Sequence, residues 1–190
     1  FVTFFTAICN LGLENIIIKE YVEKRSENGK ILGTALVLRL ISSGISIIAI
    51  VIIISILKPN DNLMLVVTLL QSLALIFQTY ELIDFWFQSN LNSKYVSIAK
   101  IIAYITVAVY KIILLVLKMP VQWFAFSTTL DYIVIMIIML YMYKKNNGQK
   151  LSFSINLGKK LLRNSYHFIF SRFDGNFIYA NGQDNDRFLL

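Results

Sequence analysis

Three charged side chains stand inside long apolar runs of this sequence: Arg39, Lys111 and Asp131. An ionised group in hydrocarbon is costly, so such residues mark substrate paths, ion pathways or interhelical pairs. Arginine and lysine suit an anionic ligand, and arginine presents a planar fork of donors. We therefore predict Arg39 and Lys111 to be substrate-binding charges of an internal cavity.

Asp131 poses a separate question, because no basic residue lies at helical spacing within its own run. A buried carboxylate needs a proton, a cation or a basic partner to offset its charge. We predict Asp131 to be an ion-coupling site or half of an interhelical pair with Lys111 or Arg39; a polar packing role is the third possibility.

Snorkelling is the alternative for the two basic residues. Arg39 lies eight residues into its run, or about 12 Å along a helix, from where its head group could reach a membrane surface. Lys111 lies seven residues before Lys118 and could reach toward the opposite surface.

The elements that must position these charges are four apolar segments, each at least 22 residues long: 31–57, 63–87, 96–117 and 121–143. A bilayer core takes about 20 apolar residues per helix, and residues 47–56 are apolar on every side. The composition agrees, with 57% hydrophobic and 15% charged residues. The sequence therefore predicts an all-α polytopic membrane protein whose partner is the lipid bilayer.

Loop charge orients these segments. Twelve basic residues lie in connectors on one side, against only Lys58 and Lys118 on the other. The positive-inside rule assigns the richer side to the cytoplasm. The net charge of +7 is then a matter of orientation, and we expect no nucleic-acid partner.

The connectors divide the rest of the chain. Pro59 and Pro120 mark two short outer loops. The longer cytoplasmic connectors are predicted at 14–30, as a solvated amphipathic helix, and at 144–164, which ends in an interfacial amphipathic stretch. Residues 1–13 are predicted to end one membrane helix, and residues 165–171 to begin a further one.

Other polar and aromatic residues receive structural interpretations. Glu81 and Asp84, near the end of the second segment, are expected to be solvated interfacial carboxylates, and Trp86 and Trp123 to be membrane-surface anchors. No cluster of metal ligands, nucleophile elbow or phosphate loop is present in the sequence. We therefore expect no catalytic residue, no metal, no cofactor and no enzymatic activity.

Two groups of phrases resemble bacterial oligosaccharide flippases, the O-antigen and capsule repeat-unit translocases of the multidrug/oligosaccharidyl-lipid/polysaccharide exporter superfamily. The first is LGLENIIIKE at 11–20 with ILGTALVLRL at 31–40, and the second is IDFWFQS at 83–89 with SKY at 93–95. The resemblance runs from residue 1 to about residue 171. It implies a MATE-like transporter of twelve helices in two six-helix bundles, of which this chain would supply a partial first bundle.

The same resemblance implies a function. Polyprenyl-pyrophosphate-linked oligosaccharide repeat units would cross the bacterial cytoplasmic (inner) membrane for O-antigen, capsule or exopolysaccharide synthesis, with polysaccharide polymerase machinery as a candidate partner. Two alternatives remain, a cation-coupled multidrug exporter of the same superfamily and a membrane-bound glycan-assembly enzyme. The enzyme should carry long outer loops with Arg or His clusters, whereas both outer loops here are short.

The tail at 172–190 departs from the flippase pattern. It is rich in Asp, Asn and Gly and lacks a transmembrane run. Back-translated with AT-rich codons and read one base later, it yields a Tyr-Met-Arg-Met-Asp string that fits a seventh helix. We predict a frameshift product here, and a chain that is an inactive piece of a longer transporter.

Overall fold

The computed structural model describes residue 6 and residues 14–59 and 61–164. Within those residues the regular secondary structure is helical throughout, with no strand. Three predicted parts lie outside the described residues, apart from Thr6: the helix end at 1–13, the helix start at 165–171 and the frameshifted tail at 172–190.

Eight helices make up the described chain, with 3₁₀ turns at Arg25–Glu27 and Gln78–Tyr80. They are α1 Glu14–Glu23, α2 Asn28–Leu57, α3 Asn62–Ser72, α4 Ala74–Phe77, α5 Glu81–Ser89, α6 Lys94–Val116, α7 Val121–Lys145 and α8 at 155–164. Four stretches are long and apolar enough to cross a membrane: Arg25–Leu57, Asn62–Ser89, Lys94–Val116 and Val121–Lys145. The prediction of an all-α polytopic membrane protein is confirmed.

Local signals set the two tight turns between spans. Asp61 caps α3, because its Oδ1 accepts a hydrogen bond from the Met64 backbone N–H at 2.9 Å. Lys118, with φ at 50°, is left-handed and ends the turn after α6. Pro120 then precedes the first residue of α7, where a missing N–H costs nothing.

The second span is interrupted, although the sequence predicted one continuous segment. Its helix is divided at Leu73 and again at the 3₁₀ turn Gln78–Tyr80. Neighbouring hydroxyl groups donate to carbonyls beside the first interruption: Ser43 Oγ to Leu75 O at 3.0 Å and Thr129 Oγ1 to Leu70 O at 2.5 Å. Such bonds satisfy backbone groups that a broken membrane helix leaves open.

The largest buried cluster lies where α1, α2, α5 and α7 meet, and it includes Ile17, Tyr21, Ile31, Leu32, Leu82, Ile83, Phe87, Ile135 and Met139. Trp86 belongs to it, at 8% exposure, with its ring edge-on to Tyr143 at 4.7 Å. The prediction of a surface anchor is therefore wrong for Trp86, because that face of α5 turns toward the core. Trp123 is about half exposed.

An extended strap, residues 146–154, lies along the start of α2. Gln149 Oε1 accepts from the Gly29 N–H at 2.9 Å, and its Nε2 donates to Arg25 O at 2.9 Å. Farther along, the Ser152 N–H donates to Gly29 O at 3.2 Å. A Cβ at Gly29 would collide with the backbone oxygen of Lys150. The glycine is therefore what lets the two backbones approach.

An ion pair between a buried carboxylate and an exposed lysine connects α8, which follows the strap, to α1. Glu20 Oε1 meets Lys160 Nζ at 2.5 Å, and Glu20 Oε2 meets Lys24 Nζ at 3.3 Å. Burial raises the pKa of Glu20, but the hydrogen bonds and charges of Lys160 and Lys24 outweigh it and hold that pKa below its usual value. The hydrogen bond to Glu20 raises the pKa of Lys160. The predicted solvated helix at 14–30 thus has one buried face.

Candidate functional site

Arg39 is buried in the bundle and paired with a carboxylate from the second span. Its side chain is 2% exposed, and its Nη2 lies 2.5 Å from Glu81 Oε2. Gln78 Nε2 donates to the other oxygen, Glu81 Oε1, at 3.0 Å. The pair carries no net charge, and its short charge-assisted hydrogen bond offsets much of the cost of removing both groups from water.

The sequence positions this pair through the antiparallel arrangement of two spans. Arg39 lies eleven residues past Asn28 in α2, or about 16 Å along the axis. Glu81 is the first residue of α5, eight residues before Ser89, or about 12 Å from that end. Residues at similar depths in neighbouring antiparallel spans face one another. The 3₁₀ turn before α5 brings Gln78 to the same point.

Glu81 differs from its expectation. A solvated carboxylate was predicted, but Glu81 is 24% exposed and bonded to Arg39. Asp84 is buried as well, with Lys100 Nζ at 3.4 Å and a hydrogen bond from Gln88 Nε2 at 2.9 Å. The matching depths of Arg39 and Glu81 in adjacent spans were the signal that could have identified this partner.

Lys111 and Asp131 share a cavity of about 300 Å³ between α6 and α7. The α6 wall uses positions three, four and seven residues apart, which is one helix face. The lining residues are Tyr104, Val107, Ala108 and Lys111 from α6, and Ser127, Thr128 and Asp131 from α7. The structure thus brings together two of the three predicted site residues.

No ion pair within 4.0 Å joins Asp131 to Lys111 or Arg39 in the described part of the chain, although Lys111 lines the same cavity. Asp131 Oδ1 is buried and has no hydrogen-bond partner among the described residues. One oxygen of this cavity-lining carboxylate is therefore enclosed by the protein with unused capacity to accept hydrogen bonds.

A stacked ring pair joins the segments that carry Glu81 and Asp131. The rings of Tyr80 and Tyr132 lie 6.0 Å apart at 29°. Tyr80 directly precedes Glu81, and Tyr132 directly follows Asp131. The second span and α7 are therefore packed against one another at the level of these two carboxylates.

Among residues 14–59 and 61–164, no group of three or more His, Cys, Asp or Glu side chains is placed to hold a metal ion. The arrangement instead offers charge for binding. A buried guanidinium paired with a carboxylate lies in one place, and a largely apolar cavity lined by one basic and one acidic side chain lies in another.

Comparison with known proteins gives one match. A family model described as "Polysaccharide biosynthesis protein" covers residues 1–184. No curated protein and no solved structure matches the chain.

Proposed function

The chain belongs to the polysaccharide biosynthesis protein family, and on that premise we propose that it takes part in flipping polyprenyl-pyrophosphate-linked oligosaccharide repeat units across the bacterial cytoplasmic membrane. The units would serve O-antigen, capsule or exopolysaccharide synthesis. No bond is made or broken in such a step, so the activity is transport rather than enzymatic catalysis.

The observation that carries this proposal is the burial of Arg39 in a membrane-spanning bundle. Arg39 is 2% exposed and is held by Glu81. In low dielectric a fixed guanidinium attracts a phosphate group far more strongly than it would in water. Arg39 would offset the charge of the pyrophosphate as it passes, and Lys111, nearer the opposite end of the spans, would contact the sugar part of the same substrate.

The interrupted second span supports a moving part. Discontinuous membrane helices commonly line transporter binding sites, and a 3₁₀ stretch within a helix often marks a hinge. Here the 3₁₀ turn Gln78–Tyr80 directly precedes Glu81. In the full-length transporter, two bundles would rock about the central path, and the Arg39–Glu81 pair would open when substrate arrives.

Complementation tests this function. The full-length gene should restore surface polysaccharide to a bacterial strain that lacks its repeat-unit flippase. Arg39→Ala should lower export while membrane insertion is unchanged. Arg25→Ala, at an exposed arginine before α2, is the matched control and should export normally. A membrane-inserted protein that restores no polysaccharide would refute the proposal.

A cation-coupled multidrug exporter is the second candidate, favoured by the acidic and aromatic residues Asp131 and Tyr104 in the cavity. It predicts that the full-length protein lowers the accumulation of a cationic dye in cells that lack drug exporters. Dye export without restored polysaccharide would select this alternative.

A further inference from the structure

The cavity between α6 and α7 contains one group of each charge. Lys111 lies on its α6 wall and Asp131 on its α7 wall, and no ion pair within 4.0 Å joins them in the described chain. Thr128 adds a hydroxyl group, and Ser127 adds another whose proton is already donated to Phe124 O at 2.6 Å, while Val107 and Ala108 supply apolar surface. A site of this kind selects its ligand by sign as well as by shape.

Simple ions fit this cavity poorly. Lys111 repels a cation, and a hard cation such as Ca²⁺ takes 6–8 oxygen ligands, whereas this lining supplies one carboxylate. Asp131 in turn repels an anion such as phosphate. A neutral, hydroxyl-rich ligand avoids both penalties, because each hydroxyl group can donate one hydrogen bond and accept others.

Asp131 and Tyr104 define what such a ligand must offer. Asp131 lines the cavity, and its Oδ1 is enclosed without a partner among the described residues, so the carboxylate as a whole gains from any donor that the cavity brings to it. Tyr104 is 62% exposed and presents an aromatic face against which the carbon face of a ring can pack. At about 300 Å³, the cavity is at the small end of ligand sites, which suits one ring.

We propose that this cavity is a subsite for one neutral sugar ring of the lipid-linked oligosaccharide, an inference that rests on the proposed function. Asp131 accepts hydrogen bonds from ring hydroxyl groups, Lys111 donates to ring oxygens, and Tyr104 packs against the carbon face. Sugar recognition is then separate from Arg39, which does not line this cavity and would meet the pyrophosphate.

Binding of two synthetic lipids to the full-length protein in phosphatidylcholine nanodiscs tests the subsite. One lipid is polyprenyl pyrophosphate carrying a single neutral hexose, and the other is the same lipid without sugar. Asp131→Asn should weaken binding of the glycosylated lipid about tenfold, the effect of losing one hydrogen bond to a charged group. Its affinity for the bare lipid should not change.

Tyr104→Ala provides a second variant in case Asp131→Asn fails to fold, and it should show the same selective loss. Tyr141→Ala is its control, because Tyr141 is equally exposed but does not line the cavity. Equal losses for both lipids, or no loss, would overturn the subsite. So would a variant that keeps its sugar preference but loses sodium or proton dependence of transport. If the wild type binds neither lipid, the proposed function itself fails.

Discussion

Arg39 of α2 and Glu81 of α5 form a 2.5 Å ion pair that joins the first and second membrane spans. The guanidinium is almost fully enclosed, while the carboxylate keeps a 24% exposed edge. An enclosed charge is tolerated only while its partner is present. The pair therefore couples the positions of two spans, and separating the charges must be compensated by another anion.

Removing the carboxylate charge should destabilise the fold. Glu81→Gln keeps the shape of the side chain but leaves Arg39 without its counter-charge. We expect the free energy of unfolding to fall by roughly 3 kcal/mol. This is the low end for a broken buried pair, because Glu81 is partly exposed. Thermal unfolding in detergent measures it. The double variant Arg39→Met/Glu81→Met should recover much of the loss. A double variant less stable than both single variants would contradict this account.

The approach of the strap to α2 should depend on Gly33. A Cβ there would collide with the backbone of Ser152, so Gly33→Ala should cost about 1–3 kcal/mol through overpacking and increase hydrogen exchange across residues 149–154. Gly44→Ala is the matched control in the same helix, since nothing lies within 4 Å of its added Cβ. If both variants exchange alike, the close contact is not needed for docking.

Hydroxyl groups that cross to the interrupted span should matter more than those that bond within their own helix. Thr129→Val removes the donor to Leu70 O and should cost about 1 kcal/mol. Thr106→Val, whose hydroxyl donates to Ile102 O in its own exposed helix, should change stability little. Chemical unfolding of both variants provides the comparison, and equal effects would refute the lateral role.

The Glu20–Lys160 contact should show a broad pH plateau. The folded pKa of Glu20 lies below its usual 4.5, so its contribution is present above that pH and is lost as pH falls through the folded value. The folded pKa of Lys160 lies above its usual 10.5, so its contribution is present below that pH and is lost as pH rises through the folded value.

Protease nicking after Lys159, followed between pH 5 and pH 9, reads out the docking of α8. We expect flat, slow cleavage in the wild type and faster cleavage in Glu20→Gln. Glu23→Gln is the control, because Glu23 makes only an exposed contact with Lys19 at 3.8 Å. Unchanged cleavage in Glu20→Gln would show that the ion pair does not hold α8.

Much of the architecture was predictable because a membrane span can be recognised in a sequence by its length and its apolar residues. The four helices follow from that signal, and the enclosed position of Arg39 follows from the cost of charge in hydrocarbon. The sequence predicts a solvated Glu81 because this residue lies near the end of its span. That prediction does not consider the antiparallel span that faces it. Arg39 lies at a similar depth in that neighbouring span, which indicates that it is the partner of Glu81.

Other features were not visible in local sequence. The second span is interrupted without Pro or Gly, because hydroxyl groups of Ser43 and Thr129 on other helices compensate its carbonyls. The strap is held by the Gln149 side chain, which donates a hydrogen bond to Arg25 O and accepts one from the Gly29 N–H. The hydroxyl contacts join residues 32 and 59 positions apart, and the Gln149 contacts join residues 120 and 124 positions apart, so only the folded chain reveals them.

The bonds that hold the strap and α8 also limit how far these segments can move relative to the first span. Because Gln149 and Lys160 tie residues 146–164 to α1 and α2, the connector after α7 has little slack. A shift of α8 is therefore expected to displace the start of the first span as well, which is the start of the same helix that holds Arg39.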